Sequence, residues 1–486
     1  MKARNTEKSL ALWEKYGKHL LMAMPYADNL IEDASGCVLH DIDGNEILDL
    51  AAGQFCSILG SSHPKYIERM VEQMKKVMHV GTQFLSPIVL EAAAKFSEVA
   101  PGSLSKSLFL STGTEANECA ISMAKAYTGK NGVVGFNRGY YGLSLATKSL
   151  TSIFSSGDRH GSCPTAPESY RFLAPHCFHC PVKSHYPECD FGCLETSVEA
   201  ALPRHCNIAA ILVEPIFSAG GMIVPPPGYL KALKRLAQGL DALLIVDEAQ
   251  TGFARTGKWF ACEHHEIEPD ILVVSKSSGA GYPVSGLITT DAFADRLAAQ
   301  RWLHLSSHQS DPLAAAALAA TIDIVREENL IDRAAAAGSY LKDRLEHLKS
   351  KHSVIADVRG IGLMLGIAIG NPDDDSGPQF CMLIAAICAA RGVHLTYTYF
   401  EPVLRILPAL TISHEDMDRA IAVLDESIET ALKGDVTLDS LLPSNRYSRS
   451  LVGHLRGGGT FKRLASRLYE TSPKYWIAKL RSGSRE

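Results

Sequence analysis

What stands at the ends of its short apolar runs constrains this chain most. Residues 242–246 (ALLIV) are followed by Asp247, and residues 271–274 (ILVV) lead through Ser275 to Lys276. Runs of this length, rich in Ile and Val and bounded by Gly or Pro, read as strands buried on both faces. Three more behave alike: 107–110 leads to Thr112, 133–136 to Asn137, and 209–213 to Glu214. In open α/β sheets the functional side chains stand beyond the carboxyl ends of the strands. Five such ends in order describe the rim of one site.

The stretch Ser111-Thr112-Gly113-Thr114-Glu115 opens a helical run and suits an anion, because free backbone N–H groups and the helix dipole point at the guest. It lacks the spacing and Gly-Lys pair of a Walker loop. Asn137-Arg138-Gly139-Tyr140-Tyr141-Gly142 sets two exposed-looking aromatics between glycines, suited to stacking on a flat ligand. Gln54 sits between apolar neighbours and reads as a buried amide, which needs protein or ligand partners.

The remaining pattern divides the chain. Residues 1–50 read as an N-terminal helix, an arm and a hairpin around Asp43-Gly44-Asn45 that belongs to a smaller domain. Residues 51–330 form the large cofactor-binding domain, with 66–99 helical in period and an Ala-rich helix from Pro312 read as an interdomain connection. Residues 331–434 form a small α+β domain, in which Gly360, Gly362 and Gly366 read as the entry to a strand, with no strand before them. Residues 435–486 are an extension. From Asn445 onward it carries ten Lys+Arg against two Asp+Glu, and Phe461, Leu464, Leu468 and Tyr469 are spaced as a helix face. The favoured reading is a solvated extension, with docking on the body, an acidic membrane surface or a partner as alternatives.

The net charge of −5 gives no sign of a nucleic-acid partner, and no apolar run reaches the roughly 18 residues of a membrane span. The first residues carry no apolar core of signal-peptide length. The expectation is a soluble, cytoplasmic protein whose twelve cysteines are thiols. Cys177, Cys180, Cys189 and Cys193, flanked by His176 and His179, have metal-ligand ingredients. They read first as packed thiols with no metal, and structural zinc is the alternative.

An amine facing an aspartate, a phosphate-type cradle and an aromatic plate together fit pyridoxal phosphate. The lysine meets the aldehyde as a Schiff base, and the aspartate pairs with the pyridine nitrogen. Displaced by substrate, the lysine is the natural proton carrier at Cα.

The run Asp247-Glu248-x-Gln250-Thr251-Gly252-Phe253-x-Arg255-Thr256-Gly257, with Pro269-Asp270-Ile271-Leu272 and Ser275-Lys276, resembles the class III pyridoxal-phosphate aminotransferases over roughly residues 20–433. The resemblance implies the fold-type-I α/β architecture: a mostly parallel seven-stranded sheet flanked by helices, with a smaller α+β domain. It implies catalytic roles for Lys276, Asp247 and Gln54. It places Thr112, Gly113, Thr114, Tyr140, Glu214, Gln250 and Ser307 around the cofactor, the serine coming from a neighbouring subunit of a homodimer. The implied reaction moves an amino group between an amino acid or amine and a keto acid. A scaffold protein on this fold would have no need of Lys276, Asp247 and Gln250 together.

Within the family the nearest likeness is to 2,2-dialkylglycine decarboxylase, through Gly53-Gln54, Glu214-Pro215-Ile216, Phe260-Ala261-Cys262 and Ser310-Asp311-Pro312. That likeness implies a substrate-carboxylate role for Arg405 and an alternative, decarboxylation-dependent reaction. Around the substrate the chain departs from it, with Tyr140-Tyr141 for Trp-His, Leu143 for Met, Leu305 for an aromatic and Ala219 for a Ser.

Overall fold

The computed structural model describes residues 5–152, 166–203, 207–370, 377–398, 401–434, 436–441 and 443–450. Its largest sheet has seven strands in the order 104–110, 285–290, 271–274, 243–247, 208–213, 132–136 and 169–172. The five from 271–274 to 169–172 run parallel to one another. Ser285–Thr290 is antiparallel to both of its neighbours. The mostly parallel seven-stranded sheet is therefore as expected.

The continuous apolar runs follow from burial on both sides. Ile208–Val213, Leu243–Asp247 and Ile271–Val274 are buried along their whole length. Successive side chains point to opposite faces. Thus Leu244 and Val246 enter one core with Leu233, Leu318 and Ile322, while Ile245 enters the other with Ala120, Ile121 and Phe293. Each such side chain stabilises by about 1.5–3 kcal/mol when fully buried.

One helical reading is corrected. Residues 66–99 are two helices, Pro64–Lys76 and Pro87–Val99, because Pro87 has no N–H to continue a helix and starts the second one at its first turn. The Ala-rich helix Pro312–Glu327 leads directly into the helix Leu330–Lys351. The Ala-rich helix is almost wholly buried, packing on both Pro64–Lys76 and Pro87–Val99 and on the turn Lys276–Gly279. Its small side chains permit that close approach.

A four-stranded sheet joins Ile31–Ser35, Val38–Asp41 and Glu46–Asp49 to Val393–His394, so N- and C-terminal segments share it. The hairpin turn is held by Asp41, whose Oδ1 accepts from the Asn45 amide at 2.7 Å. A second sheet of four strands contains Ile355–Ile361, Met364–Ile369 and Val403–Ile406. Here too a reading is corrected: Gly360 lies inside a strand, at φ 125°. A Cβ there would meet the Met364 carbonyl oxygen at 2.0 Å, so the hairpin requires glycine.

The extension begins by docking. Asn445 donates from its amide and its Nδ2 to Asp28 and from Nδ2 to the Tyr26 carbonyl, and Ser448 Oγ donates to the Tyr26 carbonyl at 2.9 Å. The face of Phe461, Leu464, Leu468 and Tyr469 lies outside the described residues. Among the described residues no helix is long and apolar enough to cross a membrane.

Candidate active site

A cavity of about 340 Å³ opens beyond the carboxyl ends of the parallel strands. That is at the small end of the roughly 300–1,000 Å³ common for ligand sites. Asp247 is the last residue of its strand, and Lys276 opens the turn after the next strand. Both line the cavity, together with Thr112, Gly113, Thr114, Tyr140 and Tyr141. Lys276 has φ 44°, a conformation that side-chain-bearing residues rarely adopt. Its place is set by the buried Pro312–Glu327 helix behind the turn and by Tyr66, whose hydroxyl donates to the Gly279 carbonyl at 2.5 Å.

The anion end is built by Thr112, the N-cap of the helix Gly113–Thr128, whose Oγ1 accepts from the Glu115 amide at 3.3 Å. A helix of this length offers its free N–H groups and positive dipole end to a phosphate. Ser285 locks the cradle by donating to the Thr112 carbonyl at 2.8 Å, and a Cβ on Gly113 would sit 3.2 Å from Ser275.

Asp247 is buried, with one donor on each carboxylate oxygen. Its Oδ2 accepts from Asn117 Nδ2 at 2.7 Å and its Oδ1 from the Ala249 amide at 2.9 Å. Burial raises its pKa from the ordinary carboxylate value, with the Lys276 charge, Asn117 and Ala249 opposing that rise. Asn117 had no role in the sequence reading. It stands one helical turn past the cradle, two residues beyond Glu115, but nothing local links it to a strand end some 130 residues away. Sequence reasoning also missed Cys56, Ser275 and the 281–284 segment as cavity lining.

Glu214 stands just behind the lining. Its Oε1 accepts from the Tyr140 amide at 2.7 Å, and burial, then the Asp247 charge, pushes its pKa up to about 8. Gln250 is buried, with Oε1 lacking a hydrogen-bond partner. Glu248 and Thr251, in the same motif, are structural. Glu248 accepts from the Thr251 hydroxyl and from the Ala261 and Cys262 amides, which holds the motif's loop shut.

Two expectations of exposure are reversed. Gln54 is exposed rather than buried. Positive φ angles of 66° at Gly53 and 67° at Phe55 twist the chain so that Phe55 enters the core and Gln54 turns outward. Tyr141 is 1 % exposed, not a free stacking face. Its ring occupies space that Gly135 and Gly139 leave open, since a Cβ on Gly139 would lie 2.3 Å from the Tyr141 hydroxyl. Tyr140 keeps the half-buried position. Arg405 is buried in its strand with its guanidinium 4.6 Å from the Phe55 ring centre, one residue from the lining Cys56. Ala219 is buried in a turn outside the cavity lining, and Ser307 is exposed and away from the cavity of its own chain.

The donor set suits pyridoxal phosphate. A helix N-terminus awaits a phosphate, Lys276 supplies an amine, and Asp247, destabilised as an anion by burial, gains from a ring cation. Gln250 Oε1 is a buried acceptor with capacity to spare. Fold and site thus define a fold-type-I pyridoxal-phosphate enzyme.

A profile described as Aminotransferase class-III matches residues 22–428. An uncharacterized aminotransferase of Schizosaccharomyces pombe is 36% identical over 436 residues, covering 87% of this chain and 96% of its own. An alanine/serine racemase of Pyrococcus horikoshii is 31% identical over 414 residues, covering 82% and 86%. Among solved structures, an (S)-enantioselective omega-transaminase from Thermomicrobium roseum superposes with a TM-score of 0.75 at 30% identity, over 84% of this chain and 92% of its own. The chain belongs to the class-III aminotransferase family, whose members depend on pyridoxal phosphate.

Proposed function

We propose that this chain transfers an amino group between an amino acid or amine and a keto acid, with Lys276 as the catalytic amine and Asp247 as the anchor of the cofactor ring. The observation that carries the reading is the single cavity lined by Lys276, Asp247 and the Thr112–Thr114 helix terminus. Pyridoxal phosphate, when bound, supplies an aldehyde and an electron-withdrawing ring. The amides opening the Gly113–Thr128 helix hold its phosphate. Asp247 holds the charge of the ring nitrogen, Asn117 fixes that carboxylate, and Gln250 and Tyr140 bind the ring's edge and face. Lys276 takes a proton from the substrate Cα and returns one to the product, a role worth roughly 10²–10⁴ in rate. Arg405 binds the substrate carboxylate as a planar, two-pronged donor. We read residues 51–330 as the cofactor-binding domain and segments 1–50 and 331–434 as the smaller one.

The likeness to 2,2-dialkylglycine decarboxylase does not extend to its reaction in this proposal. Gln54 is exposed and outside the cavity lining, and Ala219 has no hydroxyl to hold a second carboxylate. The test mixes the loaded enzyme with L-alanine or with 2-aminoisobutyrate, without keto acid. Bleaching of the cofactor's visible absorbance by alanine, with pyruvate formed and no carbon dioxide, is the expected result. Stoichiometric carbon dioxide from 2-aminoisobutyrate would reverse the choice. Inversion of L-alanine without pyruvate would instead align the chain with its racemase relative.

Dimerisation through the apolar surface completes the proposal. Ile67, Val71, Met74 and Met78 form a stripe of exposed side chains, and Leu303 and Leu305 are 90% and 80% exposed beside Ser307. Apolar side chains exposed to this degree suit an interface. A second copy covering it would bring its Ser307 towards the phosphate cradle. Light scattering is expected to give twice the chain mass. Leu303→Asp with Leu305→Asp is expected to weaken association at least tenfold, since each leucine contributes about 1.5–3 kcal/mol when buried. An unchanged dimer in that variant would place the interface elsewhere.

A further inference from the structure

The segment 173–191, between the strand Ser169–Phe172 and the helix Gly192–Ala201, contains turns but no regular element. Loops beyond about 12–15 residues in a compact domain need something to hold them. The loop's edges have anchors. His176 Nε2 lies 2.7 Å from Glu401, Tyr186 Oη donates to the Pro227 carbonyl at 3.0 Å, and Phe191 packs edge-on against Tyr229. Between these anchors the contacts with the body are fewer: His179 Nε2 lies 3.5 Å from Glu401, Arg359 lies over the Phe178 ring, and Val182 packs on the core. Cys177, Cys180, Cys189 and Cys193 line one small cavity of about 20 Å³, walled largely by prolines and apolar side chains. That volume is about one water or ion.

The described cysteines form no disulfide. Cys180 Sγ accepts from the Ser184 amide at 3.3 Å, which orients the sulfur as donors behind metal ligands do. Cys193 lies in the first turn of the helix Gly192–Ala201. The four sulfurs face one small cavity.

We propose that these four cysteines bind one zinc ion as thiolates and that the ion pins the 173–191 connector. Soft sulfur donors without carboxylates select zinc over magnesium or calcium. Thiol protons leave to solvent and no electron is transferred. The neighbouring histidines are engaged otherwise. His176 and His179 face Glu401, whose carboxylate also meets Arg359 at 2.6 Å and Arg138 at 3.8 Å, so that group is a neutralised ion-pair cluster. Side-chain groups already within 4.8 Å of one another include this cluster but not the four sulfurs. An ion with sulfurs at about 2.3 Å draws them together. Rotation of exposed Cys177 and half-buried Cys180 and Cys189 provides that movement.

Full-length enzyme, loaded with its cofactor and purified without chelator, is assayed for metals by plasma mass spectrometry. One zinc per chain is expected, released in step with thiol modification by a mercurial. Cys177→Ser with Cys180→Ser, on the exposed side, is expected to lose at least nine-tenths of the zinc. Should that variant not fold, cobalt added to metal-stripped wild type is expected to give thiolate-to-cobalt charge-transfer absorption. Full zinc in the folded double variant would overturn the proposal. So would wild type that takes up neither zinc nor cobalt, or four thiols that titrate freely in the native protein.

Discussion

Replacing Lys276 with alanine is expected to lower turnover by about four orders of magnitude, at the upper limit for a positioned proton carrier. The protein should still fold. Lys276 already holds φ 44°, so alanine inherits the same strain without adding to it, and the Tyr66–Gly279 bond that shapes the turn is untouched. The cofactor should still enter, held by the Thr112–Thr114 cradle and Asp247, but should wash out on gel filtration because its covalent tether is gone. Lys276→Arg separates charge from chemistry. It retains the cation that favours the Asp247 carboxylate, yet a guanidinium does not give up its proton near neutral pH. Both variants should therefore be inactive in single-turnover assays, whereas recovery in the arginine variant would reduce Lys276 to an electrostatic role.

Asp247→Asn is expected to weaken cofactor retention and turnover by roughly 10²- to 10⁴-fold, from the approximately 3–5 kcal/mol lost when one partner of a buried charge pair is removed. The local bonding explains why the cost is not confined to charge. Each Asp247 oxygen takes one donor, Asn117 Nδ2 and the Ala249 amide. An asparagine offers one oxygen, so its NH₂ must face one of those donors. Asn117 could answer by flipping, because its Oδ1 has no partner, but its Nδ2 would then abandon the Tyr141 carbonyl at 2.9 Å. Equilibrium dialysis of the cofactor, alongside the thermal midpoint, measures both effects. A variant that binds the cofactor as tightly as wild type would remove Asp247 from its proposed place.

The strands were legible because burial on both faces leaves continuous Ile- and Val-rich runs, and the polar residues after them could be read in order. The cradle was legible from a glycine and hydroxyl run meeting a helix start. What escaped depends on backbone twist or on contacts distant in sequence. Gln54 reads as buried from its neighbours, and only the positive φ at Gly53 and Phe55 turns it outward. Tyr141 reads as a plate, whereas vacancies at Gly135 and Gly139, one of them in the preceding strand, swallow its ring. Asn117 and Ser285 reach the site from a helix and an antiparallel strand that no local pattern aligns with it. The Pro312–Glu327 helix reads as a connector from alanine content, and the same small residues also let it back the Lys276 turn.

The most direct measurement is borohydride reduction of the cofactor-loaded enzyme, followed by proteolysis and mass mapping of the modified lysine. One pyridoxyl group per chain is expected, on the peptide carrying Lys276. Modification of a different lysine, or none at full cofactor occupancy, would contradict it.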